Sequence, residues 1–238
     1  MSELLLELFS EEIPARMQVR ASEDLKRLVT EGLKARGLAT GEARAYSTPR
    51  RLTLVIENVP AKSPAISEEK KGPRVGAPEQ ALAGFLKSAG LAKIEDAEIV
   101  KDEKKGDFYV ARIEKPGRDA TEIIAETVIE TLAKFPWPKS MRWGSSHFQW
   151  VRPLQSILCV LGGKVVPFEV AGLTSGITTR GHRFLGADTV SVKNFADYEA
   201  KLEKLHVILD PAKRAAPIAE QAKKLAKDAK LELVEDEA

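Results

Sequence analysis

Residues 154–170 read LQSILCVLGGKVVPFEV. Two apolar runs, Leu154–Leu161 and Val165–Val170, flank Gly162-Gly163, and two glycines between such runs predict a β-hairpin. Upstream, Leu4–Phe9 (LLLELF) reads as a buried strand interrupted by Glu7. Arg51–Ile56 (RLTLVI) reads as a strand entered through the turn Ser47-Thr48-Pro49. Helical spacing governs the stretches between. Leu25, Leu28, Val29 and Leu33 mark a helix over 15–35 that Gly37 stops. Ile123, Ile124, Val128 and Leu132 mark a core stripe over 121–134, with Asp119 as its cap. A shorter helix over 81–89 ends at Gly90, and Asp107–Ile113 alternates as a strand. Strands and helices interleave without a regular βαβ rhythm, so the expected fold class is α+β, a mixed sheet with packed helices.

Composition bounds the rest. A chain of 238 residues with 43% hydrophobic and 30% charged residues builds a substantial core, and its net charge of +2 excludes a wholly nonspecific polyanion binder. Residues 60–76, rich in proline, glycine and charge, read as an exposed loop opening an inserted small subdomain of roughly 60–106. The main domain is expected over 1–197, and a lysine-rich helical segment over 198–238. That segment holds a short strand at Val207–Leu209, a helix starting at Pro211 with a solvated lysine face, and a final LELVEDEA that begins a strand, as in a piece of a longer protein. The N-terminus, MSELLLELFSEEIP, carries acids where a secretory signal carries lysine or arginine, and the single Cys159 sits in an apolar run. Both fit a buried thiol in a reducing cytoplasm.

Several chemistries lack their residues. Gly163-Lys164 is followed by Val165 and is no phosphate-binding loop. One cysteine and three scattered histidines make no zinc site. Gly144-Ser145-Ser146-His147 lacks the nucleophile elbow, and Glu11-Glu12, taken as strand neighbours, point to opposite faces.

Positive charge is local. Between Lys139 and Leu185 stand Lys139, Arg142, Arg152, Lys164, Arg180 and Arg183 against one acid, Glu169, interleaved with Trp143, Phe148, Trp150, Phe168 and Phe184. Basic groups among aromatics and glycines suit phosphate and unstacked bases. Arg50-Arg51 is either a solvated turn or a guanidinium fork for phosphate or a partner carboxylate. Thr178-Thr179-Arg180-Gly181-His182-Arg183 offers many donors around a glycine, with His182 a hydrogen-bonding loop residue rather than a metal ligand. Arg142-Trp143 is an internal clamp or a stacking platform, and Trp137 and Trp150 are assigned to the core.

Taken in order, LLLELFSEEIPARM, STPRRLTLVI, KGPRVGAP with ALAGFLKSAGL, KSMRWG, FQWVRPLQSILCVLGGKVVPFEVAGLTSGITTRGHRFL and VILDPAKR resemble the β subunit of bacterial heterotetrameric glycyl-tRNA synthetase, in its N-terminal part. The resemblance implies a fold similar to the B3/B4 module of the phenylalanyl-tRNA synthetase β subunit. It also implies a role in ATP-dependent charging of tRNA(Gly) with glycine in the cytoplasm. ATP and Mg²⁺ then belong to the α subunit, with no cofactor expected here and no catalytic residue. Partners are the α subunit and tRNA(Gly), in a heterotetramer of two α and two β, with no membrane. The resemblance carries no site residues. Charge and residue type alone pick out Arg50, Arg51, Lys139, Arg142, Arg152, Arg180, His182 and Arg183 as contacts for tRNA or a partner. Two alternatives stay open: a docking module for the α subunit without RNA contact, and a relic aminoacyl-tRNA editing hydrolase.

Overall fold

In the computed structural model, which describes residues 1–101 and 106–234, the elements run in the following order. The chain opens with β1 (Ser2–Ser10), α1 (Ala15–Ala35), β2 (Ala43–Thr48) and β3 (Arg51–Val59). There follow β4 (Ile66–Arg74), α2 (Glu79–Ala89), a 3₁₀ turn (Ile94–Asp96), β5 (Glu98–Val100) and β6 (Phe108–Lys115). After α3 (Ala120–Ala133) come β7 (Leu154–Leu161), β8 (Lys164–Val165), β9 (Glu169–Val170), β10 (Leu173–Gly176), β11 (Thr178–Arg180) and β12 (Thr189–Ser191). Helices α4 (Phe195–Lys204) and α5 (Pro211–Asp228) close the described chain.

Two compact units result, Met1–Ala61 with Ala120–Ala238, and Lys62–Asp119. The first is built on a mixed sheet ordered β2-β3-β1-β7-β10-β9, with β8 beside β7. All its pairings are antiparallel except β10 on β7. Central β1 is apolar almost throughout because both its faces are covered. Leu4, Leu6 and Leu8 join Leu25, Val29 and Leu33 of α1 and Ile124 and Val128 of α3 in one core. Leu5, with Val55, Leu158 and Val160, meets Phe195, Tyr198 and Leu202 of α4 in the other. The mixed α+β class expected from the sequence is observed.

The hairpin at Gly162-Gly163 forms, with φ of 56° and 79° at the two glycines, but it is short. The expected strand Val165–Val170 breaks at Pro167, which has no N–H for the ladder. Phe168 N–H instead reaches Ser175 Oγ at 3.0 Å, and β9 pairs with β10. Trp150 is fully buried, and half-buried Trp137 packs edge-on against it at 5.0 Å. Cys159 is buried, which pushes its thiol up.

The second unit pairs its strands antiparallel in the order β4-β6-β5, with Phe85 and Ala89 of α2 packed with Ala97 and Ala111. Much of the segment 60–76, expected as a loop, is therefore strand. Its charges hid it, and Pro73 sits where the β4–β6 register shifts. The unit also takes in β6, beyond the expected limit near residue 106.

Toward the C-terminus, the 197/198 break expected from the sequence falls inside α4, which Asn194 caps by accepting the Asp197 N–H at 2.9 Å. Residues Val207–Leu209 are not a strand but an irregular connection, with Leu209 buried. Asp210 and Pro211 start α5, which buries none of its residues. Residues 231–234 form no strand, and the rest of the expected one lies outside the described residues.

Candidate functional site

Glu7 is a charge in the middle of a central strand, wholly buried. Burying a carboxylate demands partners, and the face of β1 that carries Leu5 supplies them. Thr179 Oγ1 lies 2.7 and 2.8 Å from its two oxygens. The Tyr198 hydroxyl donates to Oε2 at 2.5 Å and lies 2.9 Å from Thr53 Oγ1. Burial, and then the Glu7 charge, raise the Tyr198 phenol well above its ordinary value, so it remains a donor. The cation is Arg51, 2% exposed, with Nε 3.3 Å from Glu7 Oε2. That approach is an ion pair by distance but is not aligned as a hydrogen bond. Arg51 Nη2 donates to the Arg180 carbonyl at 2.7 Å, and Nη1 is buried with no hydrogen-bond partner among the described residues.

Outward from Arg51 the charges become accessible. Arg50 lies over the Phe9 ring at 4.7 Å, donates to the Ser10 carbonyl at 3.3 Å and reaches Glu11 at 3.5 Å. Burial, and then the Arg183 charge, lower its guanidinium from the ordinary value; it stays cationic at neutral pH. Arg183 Nη2 meets Glu11 at 2.6 Å and Glu12 at 3.1 Å, and Glu11 also accepts from Gln155 Nε2. The expectation that Glu11 and Glu12 diverge is corrected here. Strand β1 ends at Ser10, so strand alternation does not apply, and both carboxylates converge on Arg183.

The loop after β11 is fixed by its glycines and by His182. A Cβ on Gly181 would lie 2.2 Å from the Gly186 carbonyl and 2.3 Å from Leu205 Cβ, so this turn packs flat against Leu205. His182 N–H donates to the Leu205 carbonyl at 2.9 Å. Its Nδ1 accepts from the N–H groups of Phe184 and Leu185, each at 3.2 Å. His182 thus shapes the loop, as expected of it, and the proton of its neutral form belongs on Nε2.

Two adjoining cavities open on this surface and share Arg50, Gly181 and Arg183. The smaller, about 280 Å³, is lined by Thr48, Pro49, Arg50, Arg51, His182, Phe184, His206, Val207, Ile208 and Arg214, with Glu12 as its one carboxylate. The larger and more open, about 500 Å³, adds Glu11, Gln155, Arg180 and Ala187. Five arginines (50, 51, 180, 183 and 214) line the cavities against Glu11 and Glu12, with Glu7 beneath Arg51 as a third carboxylate, so two positive charges are left over. Such an arrangement binds anions. Among the described residues no group of three or more His, Cys, Asp or Glu could hold a metal ion, and no helix is long and apolar enough to cross a membrane.

Of the sequence candidates, Arg50, Arg51, Arg180, His182 and Arg183 come together here from β3 and its turn, β11 and the following loop. Arg51 does not reach the surface: its cation is committed to Glu7 and to the Arg180 carbonyl. Lys139, Arg142 and Arg152 line neither cavity. Lys139 and Arg142 are exposed, Arg152 bonds the Val151 carbonyl at 2.8 Å, and the Trp143 ring meets Phe148 edge-on at 5.9 Å. Sequence reasoning passed over Glu7, Tyr198, His206 and Arg214. A glutamate inside LLLELF was the available signal, since a buried carboxylate must find a cation.

A family model described as "Glycyl-tRNA synthetase beta subunit" matches residues 4–238. The glycine–tRNA ligase beta subunit of Ruegeria sp. (strain TM1040) is 54% identical over 240 residues, 99% of this chain and 35% of that protein. Its counterpart in Paracoccus denitrificans (strain Pd 1222) is 54% identical over 241 residues, 100% of this chain and 35% of that protein. That of Dinoroseobacter shibae is 53% identical over 240 residues, 99% and 33% respectively. The chain therefore spans about a third of the length of the curated relatives it matches.

Proposed function

The chain belongs to the glycyl-tRNA synthetase beta subunit family, and on that premise we propose that it serves the ATP-dependent charging of tRNA(Gly) with glycine by holding tRNA phosphates in the cleft of Arg50, Arg180 and Arg183. The observation that carries the reading is the surplus of guanidinium groups over carboxylates around two open, adjoining cavities. ATP and Mg²⁺ are placed at the α subunit, with which the whole β subunit forms a cytoplasmic heterotetramer of two α and two β. The fold is read as a relative of the B3/B4 module of the phenylalanyl-tRNA synthetase β subunit.

About three phosphate contacts give a log–log salt slope near −2 to −3. Titration of labelled tRNA(Gly) across a salt series measures it, with a non-cognate tRNA alongside. The Arg180→Ala/Arg183→Ala double variant flattens the slope by about one unit per lost contact; an unchanged slope removes the cleft from the interface. One observation favours a second reading, docking of the α subunit. Phe184 and Leu185, beside the arginines, are 84% and 65% exposed, and adjacent bulky apolar groups at a surface suit a protein partner. Capture of the α subunit that Phe184→Ala/Leu185→Ala abolishes, with tRNA binding absent, establishes docking in place of RNA contact.

A further inference from the structure

We propose that the smaller cavity is a seat for one nucleotide unit, its phosphate met by Arg183 over the buried charge of Arg51 and its base laid against Phe184. The inference deepens the tRNA reading and rests on it for the source of the nucleotide in RNA. Three features converge on this ligand chemistry. Arg51, only 2% exposed, lines the cavity and leaves Nη1 without a hydrogen-bond partner among the described residues. A buried cation incompletely satisfied by Glu7 and the Arg180 carbonyl favours an anion on its side of the cavity by charge, without a direct hydrogen bond.

The remaining wall is of opposite character. Pro49, Val207, Ile208 and Phe184 offer apolar surface that inorganic phosphate would leave unused. A purely apolar ligand would leave the surplus positive charge of the cleft unmet. A phosphate joined to a flat ring satisfies both walls, and about 280 Å³ has room for a single such unit.

The platform is held in place without burial. Phe184 is 84% exposed, yet its backbone N–H and that of Leu185 are both anchored on His182 Nδ1, and Gly181 and Gly186 pack the turn against Leu205. An aromatic ring fixed by its backbone stacks any base, because every base presents a π-face. Glu12, the one carboxylate lining this cavity, is tied to Arg183 at 3.1 Å. An incoming phosphate at Arg183 therefore competes with this ion pair and with the one to Glu11 at 2.6 Å, both partly exposed and so weak.

An unpaired residue of RNA and a free mononucleotide share this chemistry, and calorimetric titration of the 238-residue chain separates them. The probes are 5′-AMP, adenosine, inorganic phosphate and a four-residue single-stranded oligoribonucleotide, with tRNA(Gly) titrated in the same buffer. The expected result is that 5′-AMP, the oligoribonucleotide or both bind at least tenfold more tightly than adenosine and inorganic phosphate. Phe184→Ala weakens that binding about tenfold, and Arg183→Gln weakens it by a similar factor, with both variants melting like the parent. Binding of the oligoribonucleotide alone identifies RNA as the source; binding of 5′-AMP identifies a free nucleotide as sufficient. The inference is overturned if neither binds below millimolar concentration, or if inorganic phosphate binds as tightly and Phe184→Ala changes nothing. Retained tRNA binding beside failed nucleotide binding overturns this inference alone, and the reverse overturns only the tRNA reading.

Discussion

Replacing Arg51 with Met keeps the side-chain stem and removes the cation beneath the cleft. Glu7 then loses its ion pair at 3.3 Å, the Arg180 carbonyl loses a donor at 2.7 Å, and the Phe9 ring loses a cation 5.2 Å above it. Thr179 and Tyr198 still bond the Glu7 carboxylate, so the burden falls on an uncompensated buried charge. Breaking a buried pair by removing one partner costs about 3–5 kcal/mol, a large share of the roughly 5–15 kcal/mol by which a domain is stable. With a urea m-value of about 2–3 kcal/mol/M, the unfolding midpoint falls by about 1–2.5 M. Chemical denaturation of the parent, Arg51→Met, Glu7→Leu and the double variant measures this and the coupling between the two sites. The double variant is expected to recover about 2 kcal/mol or more relative to the sum of the single losses, because it leaves neither charge alone. A loss below about 1 kcal/mol for Arg51→Met, or strict additivity in the double variant, refutes the claim that Arg51 is committed to Glu7.

Gly181→Ala places a methyl group 2.2 Å from the Gly186 carbonyl; it should cost about 1–3 kcal/mol in denaturation and weaken tRNA binding, whereas Gly176→Ala, which has open space and an ordinary φ, should do neither. Glu12→Gln removes a carboxylate that competes for Arg183, so affinity for tRNA at low salt should rise several-fold; a fall would mean Glu12 orients Arg183 for its ligand. Glu130, bonded first by Lys134 and then by Arg36, has its carboxyl lowered to about 2. Its folded value lies below the unfolded one, so its stabilisation is present above about pH 4.3 and is lost as pH falls toward 2. The dependence of Tm on pH over that window should flatten in Glu130→Gln.

The elements that sequence reasoning found are those whose cores are local in pattern. Leu25, Val29 and Leu33 repeat at helical spacing, and Gly162-Gly163 announces its own turn, so α1 and the start of the hairpin needed no tertiary knowledge. Strand β4 was missed because ISEEKKGPR carries no apolar alternation; what makes it a strand is pairing with β6, a partner some 40 residues away in the chain. The connection at Val207–Leu209 was misread for the opposite reason. Its apolar residues serve a cavity wall and a core contact at Leu209, not a ladder.

The site was legible in its charges and not in their destinations. Arg50, Arg51, Arg180 and Arg183 look equivalent in sequence, but burial divides them. Arg51 answers a glutamate set in the central strand, and its commitment to Glu7 and the Arg180 carbonyl fixes the turn from which Arg50 projects and the strand from which Arg180 and the 181–186 loop depart. Glu11 bridges Arg50 and Arg183, and Glu12 adds a second carboxylate on Arg183, so the repulsion between these outer arginines is offset. Removing the inner pair should therefore disturb anion binding through geometry, by moving Arg180 and Arg183, while removing an outer arginine should subtract one contact and leave the fold intact. Stability and affinity measured on the same variants separate the two roles: Arg51→Met lowers both together, and Arg183→Gln lowers affinity alone.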